Sequence, residues 1–299
     1  MRIDISKVNK NISKNPKFLE NGVELIKSFI SKDKILELNQ ELEECFNQPI
    51  FNSNYGSIWT GDEFFPGKKI LKIIPNISRI RSINILELVV DIANLIPNKK
   101  NIILTDINIY SEKRNKESLF WHTDGRKGMM RAQIYIKGGG KDSGAFQYIQ
   151  NTHSIDHQVD HKLNNKEILE LKDNIYNCYG EGGDLLLFNT YGFHAKNKCI
   201  DERINLMIEF QPKDLVAIRS SIDLNNLNLT KKVLENLDLF IPNEEMKKKS
   251  YHSNYGLDIK YKNFPTYFVS RSIKLILKKI VINFFINPSK ILLKKIKLL

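Results

Sequence analysis

Two short stretches of the sequence carry side chains that could bind one metal ion together. His122 and Asp124 stand two residues apart, so an extended backbone places their imidazole and carboxylate on one face. A third ligand, His194, follows the apolar run that begins after Gly183-Asp184. Two imidazoles and one carboxylate that leave open coordination positions form the facial triad of non-haem Fe(II) oxygenases. The spacing therefore predicts an Fe(II) site at the catalytic centre with these three residues as ligands.

Arg203 stands beyond His194 at the head of the next apolar run. The positions left open on such an iron suit a bidentate 2-oxoacid together with O₂. The distal carboxylate of the oxoacid needs a fixed cation, and a planar guanidinium suits a carboxylate better than an ammonium does. We predict that Arg203 binds the co-substrate; a surface salt bridge is the alternative role for an Arg at this position.

The segments around these residues alternate between apolar and polar side chains, which is typical of β-strands. A short strand is predicted within Gly22–Ile30, and further strands at Asn101–Tyr110, Met129–Ile136, Ala145–Ile149, Asp184–Phe188 and Arg203–Gln211. Ligands on several short strands favour two packed sheets over a parallel α/β sheet. We therefore predict a mainly β fold with flanking helices, built on a double-stranded β-helix, or jelly roll.

Three other segments have the apolar spacing of amphipathic helices. They lie at about 31–46, 82–95 and 223–240. The first has a capping sequence at its start, and the second is ended by a proline. Residues 155–178 are expected to form an insertion of mixed structure between two strands.

Basic residues are concentrated at the carboxyl end of the chain. The 299 residues have a formal net charge of +12, from 46 Lys and Arg against 34 Asp and Glu. Eight of the basic residues lie within Arg271–Leu299, which contains no Asp or Glu. We predict a catalytic domain at 1–265 and a basic amphipathic helical tail at 266–299. Residues 270–299 suit peripheral contact with an anionic membrane surface, and packing on the domain or dimerisation is the alternative.

The composition argues against several classes of protein. No basic and aromatic platform is recognisable outside the tail, so no nucleic-acid partner is predicted. The three cysteines share no CxxC spacing, which predicts no disulfide framework. No run approaches about 20 apolar residues, and no apolar leader is recognisable. A cytoplasmic protein is expected, with the tail available for contact at the inner face of the membrane.

Four stretches, in this order, resemble the phytanoyl-CoA dioxygenase family over about Gly22–Pro212. The strand and helix at Gly22–Phe46 and the Trp121-His122-Thr123-Asp124 stretch are similar to its first two motifs. Gly144–Ser154 resembles a third motif, in which Gln150-Asn151 replaces the usual Pro-Gly. The segment from Gly183-Asp184 through His194 to Arg203 is similar to the closing motif.

The resemblance implies an Fe(II)- and 2-oxoglutarate-dependent dioxygenase that also uses O₂. It implies His122, Asp124 and His194 as iron ligands and Arg203 as the residue that binds 2-oxoglutarate. Gln133 stands where the family has a Trp near the co-substrate, so it is a further candidate for cofactor binding. Because Asp124 is present, a halogenase is disfavoured, since halogenating relatives lack this carboxylate.

The expected reaction is hydroxylation of an unactivated C–H bond in a small-molecule, lipid or envelope-glycan substrate. The alternatives are a non-catalytic jelly-roll binding protein and a membrane-surface interaction protein in which the tail is the functional part. The remaining central histidines are expected to be structural. His153 is predicted to bind no metal, and His157 and His161 are predicted to lie on a solvated face of the insertion.

Overall fold

The computed structural model describes residues 5–10, 12–47, 58–60, 68–72, 80–115, 119–124, 127–157, 161–214, 224 and 227–241. Within them the chain forms strands β1 (Val23–Ile26), β2 (Ile58–Thr60), β3 (Lys68–Lys72), β4 (Ile102–Asn115), β5 (Leu119–His122), β6 (Met130–Lys137), β7 (Phe146–Ile149), β8 (Ile175–Cys178), β9 (Leu185–Asn189), β10 (His194–Lys196) and β11 (Cys199–Pro212). The α-helices are α1 (Phe18–Asn21), α2 (Lys32–Asn47), α3 (Ile85–Asn94), α4 (Asn165–Glu170) and α5 (Lys231–Leu234). Single 3₁₀ turns lie at Ile5–Lys7, Lys99–Asn101, Thr152–Ser154, Lys172–Asn174 and Leu237–Leu239.

The strands form two antiparallel sheets. The larger sheet has the order β1-β9-β6-β11-β4-β3-β2, and the smaller has the order β5-β10-β7-β8. From β4 to β7 the chain alternates between the two sheets, and from β8 to β11 it alternates again. This winding is that of a double-stranded β-helix, and it confirms the predicted fold class.

The two faces of the larger sheet have different chemistry. On one face, alternate residues of four strands join the buried residues of α2 and α3 in one apolar core: Leu104, Ile107, Ile109, Ala132, Ile134, Ile136, Leu185, Leu187, Ile204, Leu206, Ile208 and Phe210. The residues between them point to the opposite face, because successive side chains of a strand alternate. We call that opposite face, which looks toward the smaller sheet, the inner face.

Most of the predicted elements are present. β4, β6, β7, β9 and β11 correspond to the five predicted jelly-roll strands, with ends shifted by a few residues, and β1 lies within the predicted first strand. The predicted helices at 31–46 and 82–95 are α2 and α3. The Asn84 side chain caps α3 by accepting a hydrogen bond from the Glu87 backbone N–H at 3.2 Å.

The helix predicted over 223–240 is wrong. In its described part the chain has only α5 and the 3₁₀ turn at Leu237–Leu239, and 227–230 is not helical. Asn225, Asn226 and Asn228 stand in this segment, and Asn side chains compete with the backbone for hydrogen bonds. Leu227 nevertheless packs against the apolar core, which explains the misleading hydrophobic pattern.

A buried carboxylate ties the start of the chain to the jelly roll. Asp184 precedes β9 and accepts hydrogen bonds from the backbone N–H groups of Ser28 and Glu181 and from Lys27 Nζ, at 2.8–2.9 Å. Beside it, Gly183 has a φ of 97°, and an added Cβ would lie 2.4 Å from the Ile30 carbonyl oxygen. Gly183 and Asp184 therefore allow the β1–α2 connection to pack closely against the residues that precede β9.

The tail predicted at 266–299 lies outside the described residues, so the division of the chain at residue 265 stays a prediction. Among the residues that the structure does describe, no helix is both long enough and apolar enough to cross a membrane.

We expect Asp184→Asn to lower the free energy of unfolding by about 2 kcal/mol at pH 7, because three donors lose a charged acceptor. Burial opposes ionisation of Asp184, but its hydrogen bonds to Lys27, Glu181 and Ser28 outweigh burial and lower the pKa of the carboxyl. The contribution is therefore complete above the unfolded pKa and is lost as the pH falls through the lower folded pKa. Urea unfolding at several pH values measures it.

The control for this variant is Glu37→Gln, which removes an exposed ion pair with Lys34. We expect a change below about 0.5 kcal/mol for it. Two results would contradict the role given to Asp184. One is an equal decrease in the free energy of unfolding for both variants at pH 7. The other is a difference in that free energy between wild type and Asp184→Asn that grows as the pH falls.

Candidate metal centre

The three predicted ligands meet on the smaller sheet. His122 is the last residue of β5 and His194 the first of β10, and the two face each other in the strand register. Asp124 is tethered beside them because its backbone N–H donates to the Thr190 carbonyl at 2.8 Å. The ligand atoms of the three side chains all lie within 4.8 Å of one another. Both Nε2 atoms are 3.5 Å from oxygens of the Asp124 carboxylate.

Backbone hydrogen bonds set the tautomer of both imidazoles. Nδ1 of His122 lies 2.8 Å from the Phe120 carbonyl, and Nδ1 of His194 lies 2.9 Å from the Gly192 carbonyl. A carbonyl oxygen only accepts, so each Nδ1 carries the proton and each Nε2 presents a lone pair. Burial and the neighbouring His194 lower the pKa of His122 to about 4, so this ring is neutral at pH 7.

Asp124 is held by a partly buried arginine. Nη1 of Arg131, on β6, donates to Asp124 Oδ2 at 2.6 Å, while its Nε and Nη2 donate to Glu209 Oε2 at 3.0 and 2.9 Å. Burial opposes ionisation of Asp124, but Arg131 and the two histidines outweigh it and hold the pKa of this carboxyl well below its ordinary value. The carboxylate is thus anionic and fixed in orientation.

The donor set fits a divalent iron. Two imidazoles with free Nε2 atoms and one oriented carboxylate converge from one side, which is the arrangement that non-haem Fe(II) takes. The His194 side chain is only 3% exposed and that of Asp124 is 27% exposed. The cluster is therefore closed on the His194 side and accessible beside the carboxylate.

Aromatic residues and one glycine shape the closed side. The Phe146 ring stacks on His194 with centroids 5.2 Å apart and an interplanar angle of 21°, and Phe188 lies 5.6 Å from the same imidazole. A Cβ at Gly192 would fall 1.8 Å from the Tyr148 hydroxyl oxygen. A glycine is therefore required at the position whose carbonyl orients His194.

Arg203 lies on β11 in a buried group of charges. Its Nη2 donates to Glu112 Oε2 at 2.9 Å, and its Nη1 donates to the Gly144 carbonyl oxygen. The Lys196 Nζ donates to the other oxygen of Glu112. The alternative reading of Arg203 as a surface residue is wrong, because only 7% of it is exposed.

Gln133 is also buried, on β6 between core-facing residues, and therefore lies on the inner face. With its amide oxygen turned toward both donors, Asn205 accepts from Arg203 Nε and from Gln133 Nε2, each at 3.3 Å. Gln133 and Arg203 thus belong to one polar network. The cofactor-binding role of either residue stays a prediction.

Four charged residues of this region were not predicted from the sequence. They are Glu112, Arg131, Lys196 and Glu209, none of which belongs to a recognised motif. Two of them stand between apolar neighbours: Arg131 between Met130 and Ala132, and Glu209 between Ile208 and Phe210. A single charge at an inward-pointing position of a buried strand is the signal that could have identified them.

The prediction of a solvated face for His157 and His161 is wrong. His157 is buried, stacks on Tyr191 with centroids 3.9 Å apart, and makes a 2.6 Å hydrogen bond from Nε2 to the Tyr191 carbonyl. His161 contacts the edge of Phe193. Neither belongs to the ligand cluster, and neither does His153, which packs beside Gly22.

Comparison with solved structures identifies the fold in which this cluster lies. The chain is similar to the α-ketoglutarate-dependent epimerase SnoN of nogalamycin biosynthesis, with a TM-score of 0.53 and 11% identity, over 66% of this chain and 80% of that one. It is similar to EctD from S. alaskensis in the apo form (TM-score 0.54, 13% identity, 69% and 85% covered). It is also similar to EctD in complex with 2-oxoglutarate and 5-hydroxyectoine, with a TM-score of 0.53 and 15% identity, over 66% of this chain and 74% of that one.

The fold is the one that SnoN and EctD share. The identities are low, so these structures establish the architecture alone. No protein-family model matches the sequence, and no curated protein matches it either.

We expect His122→Ala and His194→Ala each to weaken Fe(II) binding by more than roughly 100-fold, since even the loss of a residue that only hydrogen-bonds to a metal ligand costs about 10- to 100-fold. Anaerobic equilibrium dialysis of the purified protein measures the affinity. His153→Gln is the matched control, because it changes a partly buried histidine outside the cluster, and it should leave the affinity unchanged. Unaltered binding by both alanine variants would rule out this cluster as the metal site.

Gly192→Ala should cost about 1–3 kcal/mol of stability, because its Cβ overlaps the Tyr148 hydroxyl. It should also weaken metal binding, since the carbonyl that orients His194 must move. Gly140→Ala is the control, because a Cβ there meets nothing within 4 Å. Tyr148→Phe in the Gly192→Ala background should restore part of both losses, and an additive double variant would argue against the overlap.

Proposed function

We propose that this protein is an Fe(II)- and 2-oxoglutarate-dependent dioxygenase that hydroxylates an unactivated C–H bond. The observation that carries the proposal is the convergence of His122, Asp124 and His194, with both Nε2 atoms available to a metal. The buried guanidinium of Arg203 in the same jelly roll supports it. So does the fold shared with EctD, which has been crystallised with 2-oxoglutarate.

The cofactor supplies the redox chemistry. When bound, Fe(II) with 2-oxoglutarate reduces O₂ so that one oxygen atom enters the substrate as a hydroxyl group and the other enters succinate, with loss of CO₂. His122, His194 and Asp124 would hold the metal, and this set of three protein ligands suits one that must also bind a co-substrate and O₂. Arg131 orients the Asp124 carboxylate. Phe146 excludes water from the His194 side of the site.

Arg203 is the proposed partner of the distal carboxylate of 2-oxoglutarate. Its contacts with Glu112 and the Gly144 carbonyl hold the guanidinium in place before any ligand arrives. Gln133, linked to Arg203 through Asn205, is proposed to contact the co-substrate from the neighbouring strand. Because the guanidinium is already fixed, binding of the carboxylate pays little conformational entropy for ordering the Arg203 side chain.

A polar network extends from the ligands along the inner face. Arg131 joins Asp124 to Glu209, and Glu209 Oε1 accepts hydrogen bonds from Thr105 Oγ1 and Gln211 Nε2, each at 3.0 Å. All four residues joined to Asp124 in this way lie on β4, β6 or β11. An apolar acyl chain on this face would remove water from these charged and polar side chains and offer them no hydrogen bond in return, which is unfavourable.

Asn108 is one residue of this region with an unused hydrogen-bonding atom. Its Nδ2 donates to Asp106 Oδ2 at 2.8 Å, and its buried amide oxygen has no partner within the described structure. A buried acceptor of this kind is stabilised by a ligand that donates a hydrogen bond. We therefore favour a polar small molecule with hydroxyl or amino groups, or a glycan, over a lipid.

The membrane-surface alternative rests on the tail at 266–299, which lies outside the described residues. It stays a prediction, as does a cytoplasmic location with peripheral membrane contact. The binding-protein alternative requires no metal, and it is disfavoured by the free Nε2 atoms and the anionic Asp124.

We expect anaerobic Fe(II)-loaded protein to develop a weak visible charge-transfer band on addition of 2-oxoglutarate, because the oxoacid chelates the open positions. Absorption titration measures it. Arg203→Met should retain iron and lose the band at micromolar 2-oxoglutarate, with circular dichroism used to verify folding. Arg81→Met, which changes an exposed arginine outside the jelly-roll strands, is the control. A folded wild-type protein that binds iron without producing a band would refute the co-substrate assignment.

A further inference from the structure

Three charged side chains meet inside the jelly roll: Glu112 on β4, Lys196 on β10 and Arg203 on β11. Each is at least nine-tenths buried, with exposures of 1%, 8% and 7%. Arg203 Nη2 donates to one oxygen of Glu112, and Lys196 Nζ donates to the other. The strands of both sheets therefore contribute to one buried ionic cluster.

The cluster has more positive than negative charge. Among the described residues, two cations share the one carboxylate of Glu112, so this pairing leaves one positive charge in a buried cluster. A further donor to Glu112 would not remove this excess, because a neutral donor carries no charge and a cationic one would increase the excess. A buried excess charge is unfavourable unless a counter-ion accompanies it. The cluster is therefore suited to bind an anion.

The position of Lys196 places this excess beside the metal ligands. Lys196 lies two residues after His194 on β10, so the two side chains share a face of the strand. Lys196 is paired in register with Phe146, whose ring stacks on His194. Through Glu112, the same lysine reaches Arg203. A molecule that extends from the metal ligands toward Arg203 thus passes Lys196.

We propose that Lys196 is a second cation of the co-substrate site, which binds the distal carboxylate of 2-oxoglutarate together with Arg203. This inference rests on the proposed function. Glu112 holds both cations in position and competes with the incoming carboxylate for them. A 2-oxoacid with a distal carboxylate supplies the missing charge, whereas one without it does not. Lys196 thereby contributes to selectivity for a diacid.

The experiment is an anaerobic titration of Fe(II)-loaded protein, followed by the charge-transfer band and by calorimetry, with 2-oxoglutarate and with 2-oxobutyrate, which has no distal carboxylate. Lys196→Met should raise the Kd for 2-oxoglutarate roughly 10- to 100-fold, the range expected for a charge-assisted hydrogen bond. The Kd for 2-oxobutyrate should change much less. Lys196→Arg should retain most of the affinity.

Two further variants separate charge from packing. Glu112→Gln removes the competing carboxylate and should lower the Kd for 2-oxoglutarate. Lys198→Met changes an exposed lysine two residues farther along the chain and should leave every Kd as in the wild type. If Lys196→Met does not fold, the arginine and Glu112→Gln variants still give the sign of the charge effect.

The outcomes distinguish this inference from the proposed function. A folded Lys196→Met variant with the wild-type Kd would overturn the role of Lys196 and leave the oxygenase proposal intact. Equal weakening for 2-oxoglutarate and 2-oxobutyrate would also overturn it, because the lysine would then act on the metal end or on packing. A wild-type protein that binds iron but neither oxoacid would refute the oxygenase proposal itself.

Discussion

The structure depends on one cross-strand pair, in which His122 and His194 face each other on β5 and β10. Their Nδ1 atoms donate to the carbonyls of Phe120 and Gly192, so the backbone itself sets which nitrogen each ring presents. Strand pairing therefore creates the ligand geometry directly. The smaller sheet positions the candidate metal ligands, and Arg131 on the larger sheet, itself held by Glu209, orients and neutralises the Asp124 carboxylate.

Buried charge is the second constraint on this fold. Arg131 bridges Asp124 and Glu209, and Arg203 with Lys196 surrounds Glu112. Such groups are seldom retained inside a jelly roll for stability, because well-packed apolar residues are often at least as favourable there. Their concentration on the inner face, opposite an apolar core, indicates that the inner face is specialised for ligands rather than for packing.

Motif and period sufficed to predict the jelly roll and the grouping of His122, Asp124 and His194, because strand alternation and a spacing of two residues are local properties. Arg131 and Lys196 could not be assigned in this way. Their roles come from contacts between residues distant in sequence, such as Lys196 with Glu112. His157 was misassigned because its polar sequence context does not reveal the Tyr191 ring that buries it. The helix predicted near residue 227 was wrong because the leucines of this Asn-rich segment pack against the core without forming a helix.

X-ray absorption spectroscopy of the Fe(II)-loaded protein, with and without 2-oxoglutarate, tests the central claim most directly. The account predicts two imidazole ligands and oxygen ligands around one iron, and a new chelate contribution when the oxoacid is added. His194→Ala should lose one imidazole contribution. An iron environment without imidazole, or one that 2-oxoglutarate leaves unchanged in a folded protein, would contradict the account.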